Sequence, residues 1–168
     1  MLAWNLRDRR SDIDLVVFVA GRLSPRPKEH RRALQFLRKL GFVVQNAPLL
    51  VNPYAYAPDE NKRYNFCKVN MYAMIDYTKV VYVDSDLFLP NGAQRTDQLF
   101  DLYEGSPKPA ARYNWKTQIN AGFMLARPNI TLYWDMLAKF NTLESPTGGD
   151  QGFQNAYFYK HVSGFEGF

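Results

Sequence analysis

Lys79-Val80-Val81-Tyr82-Val83 runs without a break into Asp84-Ser85-Asp86. A short apolar run rich in β-branched and aromatic residues reads as a strand buried in an α/β sheet. In such sheets ligands sit in the crevice beyond the carboxyl ends of the strands. Two carboxylates at i and i+2, just past such an end, can converge on one hard cation. Mg²⁺ and Mn²⁺ take oxygen ligands and often share their shell with substrate phosphates. Asp-Ser-Asp is also ordinary turn material, and the triplet alone does not choose between the two readings.

Working toward the N-terminus, Asn65 to Tyr77 reads as a helix with Phe66, Val69, Tyr72 and Ala73 inward. Asn46 to Arg63 is loop-like, broken by Pro48, Pro53 and Pro58. Before it, Asp14 to Ala20 is a second apolar strand ending at Gly21, and Ser24-Pro25 offers a helix start. Lys28 to Leu40 places Ala33, Leu34, Leu37 and Leu40 on one helical face, Gly41 suits the C-cap, and Phe42 to Gln45 is a short strand. This β-α-β order predicts a mostly parallel, Rossmann-like sheet with flanking helices, shared by Asp14–Ala20, Phe42–Gln45 and Lys79–Val83.

Toward the C-terminus, Ala110 to Tyr113 and Gly122 to Ala126 are weaker strands. Asn129 can cap a helix over Ile130 to Phe140, although Asn129-Ile130-Thr131 also fits a glycosylation sequon. Gly148-Gly149 turns into a last helix from Asp150. The 168 residues read as one domain, large enough to bury a core without staples.

Composition excludes several classes. Aromatics at 15% are too many for a disordered tail. The longest apolar run, Leu15 to Ala20, is too short to cross a bilayer, so no transmembrane segment is expected. Cys67 is the single cysteine, which excludes an intramolecular disulfide; its neighbour Lys68 would lower its pKa, while burial would make it a structural thiol. His30 and His161 are too few for a multi-histidine metal centre, and His30, set among arginines, reads as solvated. The net charge of +5 invites an anionic partner, yet no nucleic-acid-binding module is recognisable and nucleic acid is not an expected partner.

Two further patterns carry chemistry. Ile119-Asn120-Ala121-Gly122 puts an amide and a small turn before a strand, and Gly148-Gly149-Asp150-Gln151-Gly152 puts an acid and an amide at a glycine-flanked helix start. With Tyr64-Asn65-Phe66-Cys67-Lys68 and Asp76 to Asp86, these motifs in this order resemble glycosyltransferase family eight, the glycogenin and galactinol-synthase group. The resemblance runs from Asp14 to Phe158, and the Asn52-Pro53 loop is similar to the plant and fungal branches acting on cell-wall or cell-surface glycans.

The resemblance implies a nucleotide-diphospho-sugar transferase (GT-A) fold. It implies retaining, Mn²⁺- or Mg²⁺-dependent transfer of a hexose or related sugar from a UDP-sugar to a glycan, protein or polyol acceptor. Asp84 and Asp86 would be the metal ligands; Lys68, Ser85, Asn120, Ala121 and Gly149 would hold the donor; Asp150 and Gln151 would stand at the anomeric carbon. A homodimer is compatible with this reading, as is a cytoplasmic location, or the Golgi lumen if a further segment precedes Met1.

The family's first strand and its closing histidine and lysine-proline-tryptophan segment find no counterpart, and Thr147 stands where glycogenin has an aspartate. A weak or inactive nucleotide-sugar- or glycan-binding homologue is therefore the second reading. A phosphatase of the haloacid-dehalogenase type is disfavoured, because Phe88 stands where that motif wants Thr or Val.

Overall fold

The computed structural model describes residues 13–21, 27–54, 62–87, 98, 100–101, 108–114, 118–161 and 166–167. The chain divides into two compact units, Met1–Leu49 with Phe88–Asp101, and Leu50–Leu87 with Leu102–Phe168.

In the first unit β1 (Leu15–Ala20) lies parallel to β2 (Phe42–Ala47), in register from Leu15 opposite Phe42 to Ala20 opposite Ala47. Helix α1 (Pro27–Lys39) makes the crossover that parallel neighbours require. Glu29 in its first turn and Arg38 and Lys39 in its last complement the helix dipole. Gly41, at φ +80°, ends it by donating its N–H to the Arg38 carbonyl at 2.8 Å. The less exposed side of α1 is His30, Leu34, Leu37 and, just beyond it, Leu40; Ala33 is exposed. His30 is thus half-buried rather than fully solvated, and its Nδ1 is buried without a hydrogen-bond partner among the described residues.

The second unit holds a four-stranded sheet in the order β3-β5-β4-β6. Its strands are β3 (Val80–Val83), β4 (Ala110–Asn114), β5 (Gln118–Ala126) and β6 (Glu166–Gly167). β3 and β4 both run antiparallel to β5, and β6 runs parallel to β4. The expectation that Lys79–Val83 shares a sheet with the first two strands is corrected: β3 pairs with β5, from Val80 opposite Ala126 to Val83 opposite Phe123. An apolar run marks a buried strand, but it carries no record of which neighbour pairs with it or in which direction.

The segment before β3 also differs from its expected form. It is a 3-10 helix over Asn65–Ala73, not an α-helix to Tyr77. Side chains three apart are eclipsed in a 3-10 helix. Phe66, Val69 and Tyr72, all fully buried, form one such row, and Asn65, Lys68 and Met71 form the next. The strict spacing of three in the buried row suits the tighter helix better than a period of 3.6.

That buried row packs against α2 (Ile130–Lys139) and α3 (Asp150–His161). Phe66, Phe140 and Phe153 form a three-ring cluster with centroids 4.9 to 5.3 Å apart, two of the pairs edge-to-face. Two buried polar pairs cross this core, Tyr72 Oη donating to Gln154 Oε1 and Tyr133 Oη donating to Asn70 Oδ1, both at 3.1 Å. Asn129 does cap α2, its Oδ1 accepting from the Leu132 N–H at 3.0 Å. Among the described residues, no helix is long and apolar enough to cross a membrane.

Candidate functional site

Asp84 is fixed by the sheet it follows. Its N–H donates to the Gly122 carbonyl at 2.8 Å, so the β3–β5 ladder continues one residue past β3 and sets the carboxylate beside the Asn120-Ala121-Gly122 segment. Residues two apart on a strand share a face, and Tyr82 Oη accordingly donates to Asp84 Oδ1 at 2.9 Å. A Cβ on Gly122 would lie 2.8 Å from Asp84 Oδ2 and 3.0 Å from Asn120 Oδ1, so only glycine admits both groups there. Asn120 Oδ1 also accepts from the Gly122 N–H at 2.8 Å.

Lys68 comes from the 3-10 helix and gathers the site. Its ammonium lies 3.0 and 3.1 Å from the two oxygens of Asp84, 3.2 Å from Asp150 Oδ2, and 3.4 Å from the Ala121 carbonyl to which it donates. It also stands 5.5 Å above the Tyr82 ring, within reach of a cation–π attraction.

Asp150 opens α3 from a tightly built turn. Gly148 adopts φ +66°, and its carbonyl accepts from Asn52 Nδ2 at 2.9 Å. Ser145 Oγ accepts from the Gly149 N–H, and Thr147 Oγ1 accepts from the Gly152 N–H. Two amides of α3 then tie it to β5: Gln151 Oε1 accepts from the Ala121 N–H at 3.3 Å, and Asn155 Oδ1 from the Ile119 N–H at 3.0 Å.

The electrostatics follow from burial. Asp150 is 5% exposed, and desolvation raises its pKa above the ordinary carboxylate value; Lys68 pulls it back and Asp84 pushes it further up. The Lys68 ammonium, 3.2 Å from Oδ2, is the positive charge that offsets the burial of this carboxylate. Burial, then the charge of Asp84 and its hydrogen bond, hold the Tyr82 phenol far up and protonated. Burial also raises the Cys67 thiol, whose Sγ accepts from the Leu50 N–H at 3.3 Å. This is structural-thiol behaviour, and the lowering expected from Lys68 does not occur.

The structure thus brings together Lys68, Asp84, Ala121, Asp150 and Gln151, with Asn120 adjoining through Gly122 and Gly149 in the supporting turn. Ser85 and Asp86 lie on the exposed turn after β3, closed by the Leu87 N–H to Asp84 carbonyl bond at 3.1 Å, and make no ion pair or hydrogen bond to the others. The side chain of His161 is outside the described residues. Sequence reasoning passed over Tyr82, although period-two spacing from Asp84 is its signal, and the close fit of Gly122.

Asp84 and Asp86 offer hard oxygen donors from one turn, a set that fits Mg²⁺ or Mn²⁺ shared with substrate phosphates. Among the described residues no group of three or more His, Cys, Asp or Glu side chains could hold a metal ion by itself. A cation here would compete with Lys68 for Asp84.

The mixed α/β architecture, with its parallel pair and flanking helices, is consistent with the GT-A fold of nucleotide-sugar transferases. No protein-family model matches the chain. It is similar to inositol phosphorylceramide glucuronosyltransferase 1 of Arabidopsis thaliana, 33% identical over 94% of this chain and 27% of that protein. UDP-glucuronate:xylan alpha-glucuronosyltransferase 1 of the same plant is 29% identical over 93% of this chain and 22% of that protein. Glycogenin of Neurospora crassa is 33% identical over 55% of this chain and 13% of that protein. The homologues of this chain are therefore glycosyltransferases of the family-eight type, with galactinol synthase also among them. The chain spans about a quarter of the length of the two glucuronosyltransferases.

Proposed function

We propose that this chain is the donor-handling core of a retaining, divalent-metal-dependent glycosyltransferase that moves a sugar from a UDP-sugar to a glycan, protein or polyol acceptor. The observation that carries the reading is Lys68 held between Asp84 and Asp150, 3.0 and 3.2 Å away. Breaking the bond from the sugar's C1 to the diphosphate leaves the electron pair on the diphosphate. The acceptor hydroxyl oxygen takes its place on C1 and its proton goes to the departing diphosphate.

A site for this reaction needs positive charge at the departing phosphate and negative charge at C1, where an oxocarbenium-like state develops. Lys68 answers the first need. Asp150 answers the second, as a nucleophile or as an electrostatic stabiliser, from a buried position that excludes water from its carboxylate. Gln151 and Asn155, bonded to β5, keep the start of α3 in place. Asn120 adds an amide for sugar hydroxyls. A hard cation held by Asp84 and Asp86 would supply further positive charge to the diphosphate. The first two relatives are glucuronosyltransferases by name, which makes UDP-glucuronate the first donor to test.

The test measures Mn²⁺-dependent UDP binding together with UDP-sugar hydrolysis and transfer. Asp84→Asn and Asp86→Asn should each abolish metal-dependent binding while the protein stays folded. Retention of binding in both variants refutes the metal role. Metal-dependent binding without turnover would identify the second reading, a nucleotide-sugar-binding homologue.

A further inference from the structure

One buried acceptor close to the turn that carries Asp150 lacks a donor among the described residues. Asn65 Oδ1 is buried and has no hydrogen-bond partner among the described residues, whereas Asp150 Oδ2 faces the Lys68 ammonium at 3.2 Å. Asn65 begins the 3-10 helix row that continues to Lys68, and the eclipsed spacing of that helix sets the two side chains one above the other. Gly149, the residue before Asp150, separates Asn65 from the start of α3. A Cβ on Gly149 would lie 3.1 Å from Asn65 Nδ2, so the glycine brings the amide close to the turn that carries Asp150. The Asn65 amide does not serve as a helix cap: the cap position is Tyr64, which makes no side-chain capping bond.

A buried acceptor without a donor is costly, and a ligand that supplies the donor recovers that cost. The chemistry required is a neutral hydrogen-bond donor, of which a sugar hydroxyl is one. A phosphate brings only acceptors and suits Lys68 instead. The ribose and the transferred sugar of a UDP-sugar both carry such hydroxyls, and nearness to Asp150 favours the sugar.

We propose that Asn65 is a specificity-determining residue whose side-chain oxygen accepts a hydrogen bond from a hydroxyl of the transferred sugar, beside Asp150. The inference rests on the donor reading above and deepens it. It makes Asn65 a reader of sugar identity, with no part in binding the nucleotide.

The experiment is a binding cycle by calorimetry with Mn²⁺ on the chain as it stands. Its probes are UDP, a UDP-sugar that the parent binds, and analogues of that UDP-sugar each lacking one hydroxyl. The variants are Asn65→Ala; Asn65→Leu, which keeps the branched shape without an acceptor; and Asn65→Asp, which restores the acceptor. Asn65→Ala or Asn65→Leu should weaken the UDP-sugar about fivefold or more and leave UDP unchanged. One deoxy analogue should be weakened in the parent but lose nothing further in these variants, and Asn65→Asp should recover that discrimination. Equal weakening of UDP and UDP-sugar would overturn the proposal and place the contact at the nucleotide. So would additive losses for every deoxy analogue. A parent chain that binds neither UDP nor any UDP-sugar would overturn the donor reading and this proposal together, whereas the preceding outcomes leave the donor reading standing.

Discussion

Lys68 Nζ stands 3.2 Å from Asp150 Oδ2, although one residue comes from the 3-10 helix before β3 and the other opens the last long helix. The same ammonium holds Asp84, so one cation offsets two carboxylates that would otherwise repel each other in a poorly solvated place. Lys68→Met should therefore destabilise the protein by about 3 kcal/mol, since removing one partner strands the others. Adding Asp150→Asn should recover more than the same change gains in the parent, because the two changes share one contact. Urea denaturation of the three variants checks this; strictly additive changes would show that the bridge carries no coupling.

The raised pKa of Asp150 makes its charge a cost to folding. When a carboxyl's folded pKa lies above its unfolded value, the folded state holds the proton longer, and stability falls as pH rises between the two values. Asp150→Asn should thus have a higher Tm than the parent at neutral pH. The difference should close as pH falls toward the ordinary value of 3.8. Paired thermal melts across that range decide it, and a variant less stable than the parent at pH 7 counts against the burial argument.

Tyr82 ties Asp84 in place through its hydroxyl and faces Lys68 with its ring. Tyr82→Phe keeps the ring and removes the bond to Asp84 Oδ1. Stability should drop by about 1 kcal/mol. On the metal role proposed for Asp84, the Mn²⁺ concentration for half-maximal UDP binding should rise about tenfold, the scale on which groups behind a metal ligand act. A titration with Mn²⁺ separates the two effects, and an unchanged midpoint would confine Tyr82 to packing.

Gly152 has less room than any other glycine of its turn. A Cβ there would meet Ser145 Oγ and Thr147 Oγ1 at 2.5 Å and the Thr147 backbone nitrogen at 2.7 Å. Gly152→Ala should cost about 2 to 3 kcal/mol, because the backbone atom cannot swing aside. Gly149→Ala, which meets only the end of the Asn65 side chain at 3.1 Å, should cost less stability. Comparing the two melting temperatures tests the ordering.

Much of the local architecture was legible in the chain. The apolar run Leu15 to Ala20, the helical face of Leu34 and Leu37, and Gly41 beyond it announced the β1–α1–β2 crossover; Asn129 announced the cap of α2. The resemblance singled out Lys68, Asp84 and Asp150, and these three meet. The period of the segment over Asn65–Ala73 was misread because a buried residue every third position fits either helix until the neighbours are known, and Phe66, Val69 and Tyr72 pack as a 3-10 row.

Propensity, capping and turn chemistry act over a few residues, so they mark where strands and helices begin, where Gly41 or Gly148 must take a positive φ, and that Asp84 follows a strand. Pairing acts between residues far apart in the chain. β3 lies against β5, not against β1 or β2, because strands find partners through the burial of whole faces, which no single run encodes. The same long-range packing brings the ammonium of Lys68 to both carboxylates and leaves the Asn65 acceptor without a donor among the described residues, since the distances between side chains on separate elements exist only once those elements have packed.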